Sequence, residues 1–384
     1  MDERTVAYIH LLTQYSDIEE VQFVKKKESV KIEEIGDGNL NDVFRLYSES
    51  GPGSVILKHG PPYIKCIGPE YPLGIYRTKL EFDALTKFDE LSPGSVPKPF
   101  LFDRESNVIC MEDLRSYRIF RKLLINRQLS MAAARSFARH IAVIHRKTHV
   151  AELGHQGIKV LNEQFSNPEL VALTANFILT APFIPNEPTN RCSEAVKKQL
   201  HTVQENQKVK DAVEVMKKLF LEKKESLVHG DFHTGSVMVD GDTAKIIDLE
   251  FAYVGPCAVD IGLLIANYIF SYYRHMSIPQ DNDAGRQFAY KMIEVCHMTV
   301  RTYLEEMTCT VGDKESYQDN LLSEVAGFTG CELVRRIVGV AHVEDIDDLP
   351  SAQVEALGAG VRLLEAYHRI HTIDRLMVIA LMLL

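Results

Sequence analysis

Apolar and polar positions along this chain follow two different periods, one in each half. Val43 to Tyr47 and Ser54 to Lys58 are rich in β-branched or aromatic residues and flank the turn-forming stretch Ser48-Glu49-Ser50-Gly51-Pro52-Gly53, which predicts a hairpin. After the loop Pro61 to Pro72, the segment Tyr76 to Phe88 places Leu80, Ala84, Leu85 and Phe88 on one helical stripe with Glu81 at its edge. Asn107 to Met111 is another short apolar run, and beyond Glu112-Asp113-Leu114 helical periodicity dominates. Met131 to Lys147 carries Phe137, Ile141 and Ile144 on one face, and Ser351 to Ile370 carries Val354, Leu357, Val361 and Leu364. Between about residues 150 and 225 the chain is polar and holds Pro182, Pro185 and Pro188, which reads as a loop between helices. The shift from β to α near residue 112 predicts an α+β fold in two lobes: a small β-rich one over residues 1–112 and a larger helical one over 113–384.

A length of 384 residues, 46% of them hydrophobic, is enough for a full core in each lobe. The formal net charge of −10 argues against a nucleic-acid or anionic-membrane partner, because neither phosphate backbone nor headgroups would be neutralised. Seven scattered cysteines with no Cys-x-x-Cys pair and no His/Cys cluster at zinc spacing lead us to expect neither disulfides nor structural zinc, and a reducing cytoplasm as the compartment. Met1-Asp2-Glu3-Arg4 lacks the order of a signal peptide, and the apolar stretch Leu376 to Leu384 is too short to span a bilayer, so it is expected to dock as a helix.

Four groups of residues carry candidate chemistry. Ile35-Gly36-Asp37-Gly38-Asn39-Leu40-Asn41 precedes a strand, and its glycines allow a tight turn whose N–H groups can cover phosphates; alone it would equally suit an ordinary hairpin turn. Lys58 at the end of a strand and Glu81 on the next helix match the lysine and glutamate of kinase-type phosphoryl transfer, though each alone would read as a solvated charge. Val228-His229-Gly230-Asp231-Phe232-His233-Thr234-Gly235-Ser236 is followed by Ala244-Lys245-Ile246-Ile247-Asp248-Leu249-Glu250. Asp231 on a loop can accept the proton of an attacking hydroxyl, and carboxylates beyond the next hairpin can chelate magnesium. Ser236 stands where protein kinases place a metal-binding asparagine and is a poorer ligand. Glu250, two residues after Asp248 on one side of an extended strand, is expected to share the metal with it. His229 could otherwise be a satisfied core histidine, and a metal-hydrolase reading of His229, Asp231 and His233 lacks further ligands. Finally, Glu332-Leu333-Val334-Arg335-Arg336 places two guanidinium groups in an apolar helix. Adjacent helical residues diverge by about 100°, so at most one is expected to face a phosphate or sugar with ease, and a Glu332–Arg336 ion pair is an equal alternative.

Taken together these segments resemble the methylthioribose kinases, relatives of the aminoglycoside and choline kinases with a protein-kinase-like fold. The resemblance covers most of the chain and rests on Ile35 to Asn41, Tyr63 to Gly68, Met111 to Leu114, His229 to Ser236, Asp248 to Phe251, Gly255-Pro256 with Asp260, and Gly330 to Arg336 through Ala341 to Val343. It implies a cytoplasmic, magnesium-dependent homodimer that moves the γ-phosphate of ATP to the anomeric hydroxyl of 5-methylthioribose in methionine salvage. By the same analogy Asp231 is the base and contacts the sugar, and Arg335 and Arg336 bind sugar or transferring phosphate. Gly36, Gly38, Asn39, Lys58 and Glu81 hold the triphosphate, the backbone around Glu112 and Leu114 holds adenine, and Asp248 and Glu250 hold Mg2+. Leu249, Phe232 and Tyr71 depart from the proline, leucine and tryptophan usual in the family. A kinase of the same fold acting on an aminoglycoside, choline or homoserine hydroxyl is the alternative, and a non-catalytic nucleotide-binding module is a weaker one.

Overall fold

Along the strand Ser54–His59, Val55 and Leu57 point to one face and Ile56 and Lys58 to the other, as strand pleating requires. Val55 and Leu57 enter a core with Leu12, Val21, Val24, Leu46 and Cys110, built on the helix Glu3–Thr13 and the 3-10 turn Glu19–Lys25. That N-terminal cover precedes the strands and was not expected from a region that reads as strands and turns. Five strands form an antiparallel sheet in the order Val30–Glu34, Asp42–Ser48, Ser54–His59, Val108–Glu112, Pro99–Asp103. The expected hairpin is its second and third strands, with Val43 opposite Lys58. The helix Tyr76–Leu91 packs on the last two strands through its buried stripe of Leu80, Ala84, Leu85 and Phe88.

The computed structural model describes residues 3–26, 29–35, 40–64, 68–278 and 282–383. The chain divides into two units, Met1–Ser116 and Tyr117–Leu384, a division just beyond the compositional shift near residue 112. The first is the sheet unit above; the second is mainly helical.

At the centre of the second unit lies the helix Ala258–Ser277, buried around almost its whole circumference, as an all-round apolar helix must be. The helices Asn282–Met307, Lys314–Val338 and Pro350–Ala366 pack on it, and Met131–Thr148 packs in turn on Asn282–Met307. The terminal helix Ile373–Leu381 docks as expected: Leu376, Met377 and Ala380 are buried, and Tyr273 Oη donates to the Ala380 carbonyl at 2.8 Å. Among the described residues no helix is long and apolar enough to cross a membrane.

The region from 150 to 225 corrects the sequence reading. It is largely helical, with helices Val150–Gln164, Pro168–Phe177 and Gln207–Glu222. In the last, Val209, Ala212, Val213, Met216 and Phe220 form a buried stripe among lysines and glutamates. Average polarity concealed that stripe, and the prolines 182, 185 and 188 punctuate only the stretch between helices.

Candidate active site

In the sheet unit, Lys58 Nζ lies 2.7 Å from Glu81 Oε1, with both residues almost fully buried. A buried ammonium needs such a partner, and the glutamate fixes its position. Arg77, also buried, donates from Nη2 to the Pro61 carbonyl at 2.8 Å and to the Leu40 carbonyl at 3.2 Å, tying down the exit of the glycine segment. Gly36, Gly38 and Asn39 themselves lie outside the described residues. Glu112 ends its strand with Oε2 accepting from the Lys98 N–H at 2.9 Å, and Leu114 is buried just beyond.

In the helical unit the strand Ser226–Val228 pairs antiparallel with Tyr253–Gly255, Val228 opposite Tyr253. His229-Gly230-Asp231 therefore leaves the pair beside the point where Glu250-Phe251-Ala252 enters it. Gly230 sits at φ 84°, and a Cβ there would lie 2.3 Å from the Phe251 carbonyl oxygen, so the two segments are in direct backbone contact. Both ring nitrogens of His229 are used: Nδ1 accepts from the Asp231 N–H at 3.2 Å and Nε2 donates to the Ile247 carbonyl at 2.8 Å. This is the satisfied core histidine, and it stitches the Asp231 loop to the residue preceding Asp248. Asp260, wholly buried, accepts from the N–H groups of His229 (2.7 Å) and Gly230 (2.9 Å) and is held by His145 Nε2 at 3.0 Å.

Asp248 and Glu250 are not on an extended strand. Asp248 adopts a left-handed conformation (φ 63°, ψ 57°) and caps the 3-10 turn Leu249–Phe251, leaving Asp248 exposed and Glu250 buried. Strand alternation does not extend to Asp248 and Glu250, because the strand stops at Ile246. A non-glycine residue held left-handed costs on the order of 1 kcal/mol or more, which marks the position as one where a specific side-chain direction matters. Two carboxylates on one turn are hard oxygen donors suited to Mg2+. Ser236 is spent on the loop, donating to the Asp231 carbonyl at 2.9 Å.

The two arginines of the helix Lys314–Val338 both reach Asp231, which the sequence reading did not anticipate. Arg335 Nη2 stands 3.3 Å and Arg336 Nη2 3.8 Å from Asp231 Oδ1. Glu332, fully buried, forks between them, with Oε2 on Arg335 Nε at 2.5 Å and Oε1 on Arg336 Nε at 2.9 Å. Carboxylate anchors three and four residues back swing the two long side chains together and overcome the helical divergence. The ion pair and the outward-facing arginine are thus one arrangement.

Asp231 Oδ2 faces His233 Nε2 at 3.4 Å, and His233 Nδ1 accepts from the Gly235 N–H at 3.0 Å, so the neutral ring carries its proton on the side of Asp231. Burial pushes the His233 imidazole down to about 4 against the pull of Asp231. Burial would raise Asp231, but His233, Arg335 and Arg336 outweigh it and hold the carboxyl well below the ordinary carboxylate range. Asp231 keeps 26% of its side chain exposed and remains reachable.

These shifts set an acid limit. His233 and His275, the latter also pushed down by burial to about 4, bind protons in the unfolded chain near 6.5 but not in the fold. Each therefore removes stability as pH falls through that window. Asp345, which burial raises from 3.8 to about 6 despite Arg121, acts with the opposite sign, since the fold takes its proton first. His140, also lowered by burial, adds a loss and Glu324, raised by burial, a smaller gain, and the balance predicts a lower urea midpoint at pH 4.5 than at pH 6.5; an equal or higher midpoint at pH 4.5 would contradict these assignments.

His149, Glu225 and Cys257 also gather in the interior, a cluster of metal-ligand types that sequence spacing did not disclose. Lys223 Nζ lies 3.1 Å from Glu225 Oε1, so an ammonium already supplies the positive charge there. Sequence reasoning also passed over His145, Glu332 as a double anchor, and Arg121. Only the Asp260 segment and the run before Arg335 carried any signal.

A family model described as the phosphotransferase enzyme family matches residues 31–289. The methylthioribose kinase of Bacillus velezensis is 35% identical over 334 residues, covering 85% of this chain and 82% of that protein. The methylthioribose kinase of Yersinia enterocolitica is 32% identical over 364 residues, covering 90% and 91%. Among solved structures, a microcompartment-associated aminopropanol kinase superposes with a TM-score of 0.52 at 11% identity, over 90% of this chain and 95% of that one, a likeness of fold.

Proposed function

The chain belongs to the phosphotransferase enzyme family and to the methylthioribose kinases within it, and from that premise we propose that it transfers the γ-phosphoryl group of ATP to the anomeric hydroxyl of 5-methylthioribose. It is a kinase of methionine salvage acting on a small hydroxyl acceptor. The observation that supports this acceptor best is the meeting of Arg335 and Arg336 on one oxygen of Asp231, which puts cationic fork donors beside the base.

In this reading Asp231 orients the anomeric hydroxyl and takes its proton. A carboxylate held so far below its ordinary value is a weak base, so it accepts the proton only as the oxygen–phosphorus bond forms, in keeping with a loose transition state. Arg335 and Arg336, fixed by Glu332, bind sugar oxygens and the charge on the moving phosphoryl group. Lys58, held by Glu81, takes the α- and β-phosphates, with the glycine segment covering them and the backbone at Glu112 and Leu114 receiving adenine. Asp248 and Glu250 would hold Mg2+, which when bound neutralises charge on the phosphate oxygens. The resemblance alone extends the reading to a cytoplasmic homodimer.

Arg335→Ala is expected to raise KM for the sugar or lower kcat by about tenfold or more, the loss of one hydrogen bond to a charged group, with ATP affinity unchanged. Steady-state kinetics checks this, and unchanged constants would restrict Arg335 to its pair with Glu332. The reading as a whole is tested by incubating the protein with ATP, magnesium and a panel of alcohols that includes 5-methylthioribose, an aminoglycoside, choline and homoserine, then following phosphate by mass spectrometry. The expected result is phosphorylation of 5-methylthioribose in preference to the others. Preference for another alcohol would move the protein to a different acceptor.

A further inference from the structure

We propose that Arg121 is a third guanidinium of this site and donates through Nη1 to the phosphoryl group as it reaches the acceptor, a phosphate-binding role; this deepens the reading above and rests on it.

Arg121 lies on the short helix Phe120–Ile125 with its side chain only 14% exposed. Two of its three nitrogens are committed. Nη2 donates to Asn267 Oδ1 at 2.7 Å, and Nε stands 3.1 Å from Asp345 Oδ2, a fully buried carboxylate, as an ion pair whose angle falls short of a hydrogen bond. Asn267 cannot turn away, because its Nδ2 donates to the Leu263 carbonyl at 2.9 Å while Oδ1 also accepts from Thr234 Oγ1 at 3.2 Å. The guanidinium plane is therefore fixed from two sides.

The third nitrogen is directed at the site. Nη1 has no acceptor among the described residues, and it lies 2.9 Å from where a Cβ on Gly235 would stand. The same point is 2.8 Å from His233 Cε1, so Nη1 sits beside the imidazole that faces Asp231. Only glycine at position 235 leaves room for ring and guanidinium together. Arg121 is close enough to Arg336 to be repelled by it and to Glu332 and Asp231 to be attracted.

If Arg121 were only the counter-charge of Asp345, it would gain nothing by standing within repulsive range of a second guanidinium, Arg336. An anionic phosphoryl group arriving at Asp231 supplies the acceptor that Nη1 lacks. A guanidinium with two edges pinned and one open is preorganised for charge that develops during transfer, so its contribution falls on turnover rather than on sugar binding.

The test uses the full chain in three forms: wild type, Arg121→Lys, and the double variant Arg121→Met with Asp345→Asn. The double variant removes both members of the buried pair, so that no lone charge is left to unfold the protein. We expect it to keep its thermal midpoint within a few degrees of wild type and its sugar KM within about twofold, while kcat falls by about 30-fold or more. Binding of inorganic phosphate, titrated calorimetrically without any sugar, should weaken about tenfold or more, and Arg121→Lys should recover part of the loss by restoring charge without the fork. A folded double variant with normal kcat and normal phosphate affinity would overturn the proposal and reduce Arg121 to a partner of Asp345. A higher sugar KM at unchanged kcat would overturn it too, placing Arg121 on the sugar. Failure of the wild type to phosphorylate 5-methylthioribose would sink the acceptor assignment alone, because the phosphate measurement is independent of the sugar.

Discussion

Asp231→Asn is expected to lower kcat by about 10³-fold or more while leaving ATP affinity within about twofold of wild type. Asparagine keeps the shape of the side chain but cannot accept a proton. It also presents an uncharged oxygen, or an amide N–H, to Arg335 and Arg336, which now stand 3.3 and 3.8 Å from a carboxylate oxygen. The arginines keep Glu332, so the fold survives the exchange. Nucleotide affinity is expected to be spared because the triphosphate is assigned to Lys58 and Glu81, which pair with each other. Turnover measured with saturating sugar, together with calorimetric titration of ATP, separates the two effects. A variant turning over at near-normal rate would remove Asp231 from its role.

Glu332→Gln carries the largest expected cost in stability, about 3–5 kcal/mol, the range for removing one member of a buried ion pair. Glu332 is completely buried and is the shared anchor of two guanidinium groups that burial disfavours. Glutamine has nearly the same volume but one oxygen where two are needed, and its amide N–H groups would face a cation. Asp231 cannot substitute, since both arginines meet it through a single, partly exposed oxygen at longer distance. Urea unfolding should show a correspondingly lower midpoint, and whatever folds should bind sugar poorly because the arginines are no longer aimed. An unchanged midpoint would mean that the arginines have other adequate partners.

The sequence was legible wherever structure follows from neighbours along the chain. Alternation found the hairpin of Val43 to Tyr47 with Ser54 to Lys58, and helical periodicity found Tyr76–Leu91, Met131–Thr148 and most of Pro350–Ala366. The loop carrying Asp231 stood out for its dense run of His, Gly, Asp and His before a hairpin, and the return of that hairpin to Asp248 follows from strand pairing. What stayed hidden depends on partners far apart in the chain. Lys58 and Glu81 were proposed as a pair, but no local rule distinguishes them from solvated charges; burial does. The left-handed turn at Asp248 exists because Ile247 is tied to His229 and Ser236, contacts that no alternation pattern encodes. The convergence of both arginines required knowing that Glu332 is buried and forks. Arg121 gave no signal at all, since its meaning comes from Asn267 and Asp345, more than a hundred residues downstream. Between 150 and 225 average polarity outweighed a buried stripe that a narrower window would have caught.

Asp231 and the two arginines are proposed to receive the anomeric hydroxyl of the sugar. Phosphorus NMR of the product formed from ATP and 5-methylthioribose labelled isotopically at its anomeric carbon reads that atom directly. Coupling between phosphorus and the labelled carbon is the predicted result. Phosphate on any other hydroxyl, or ADP release with no sugar phosphate, would contradict it.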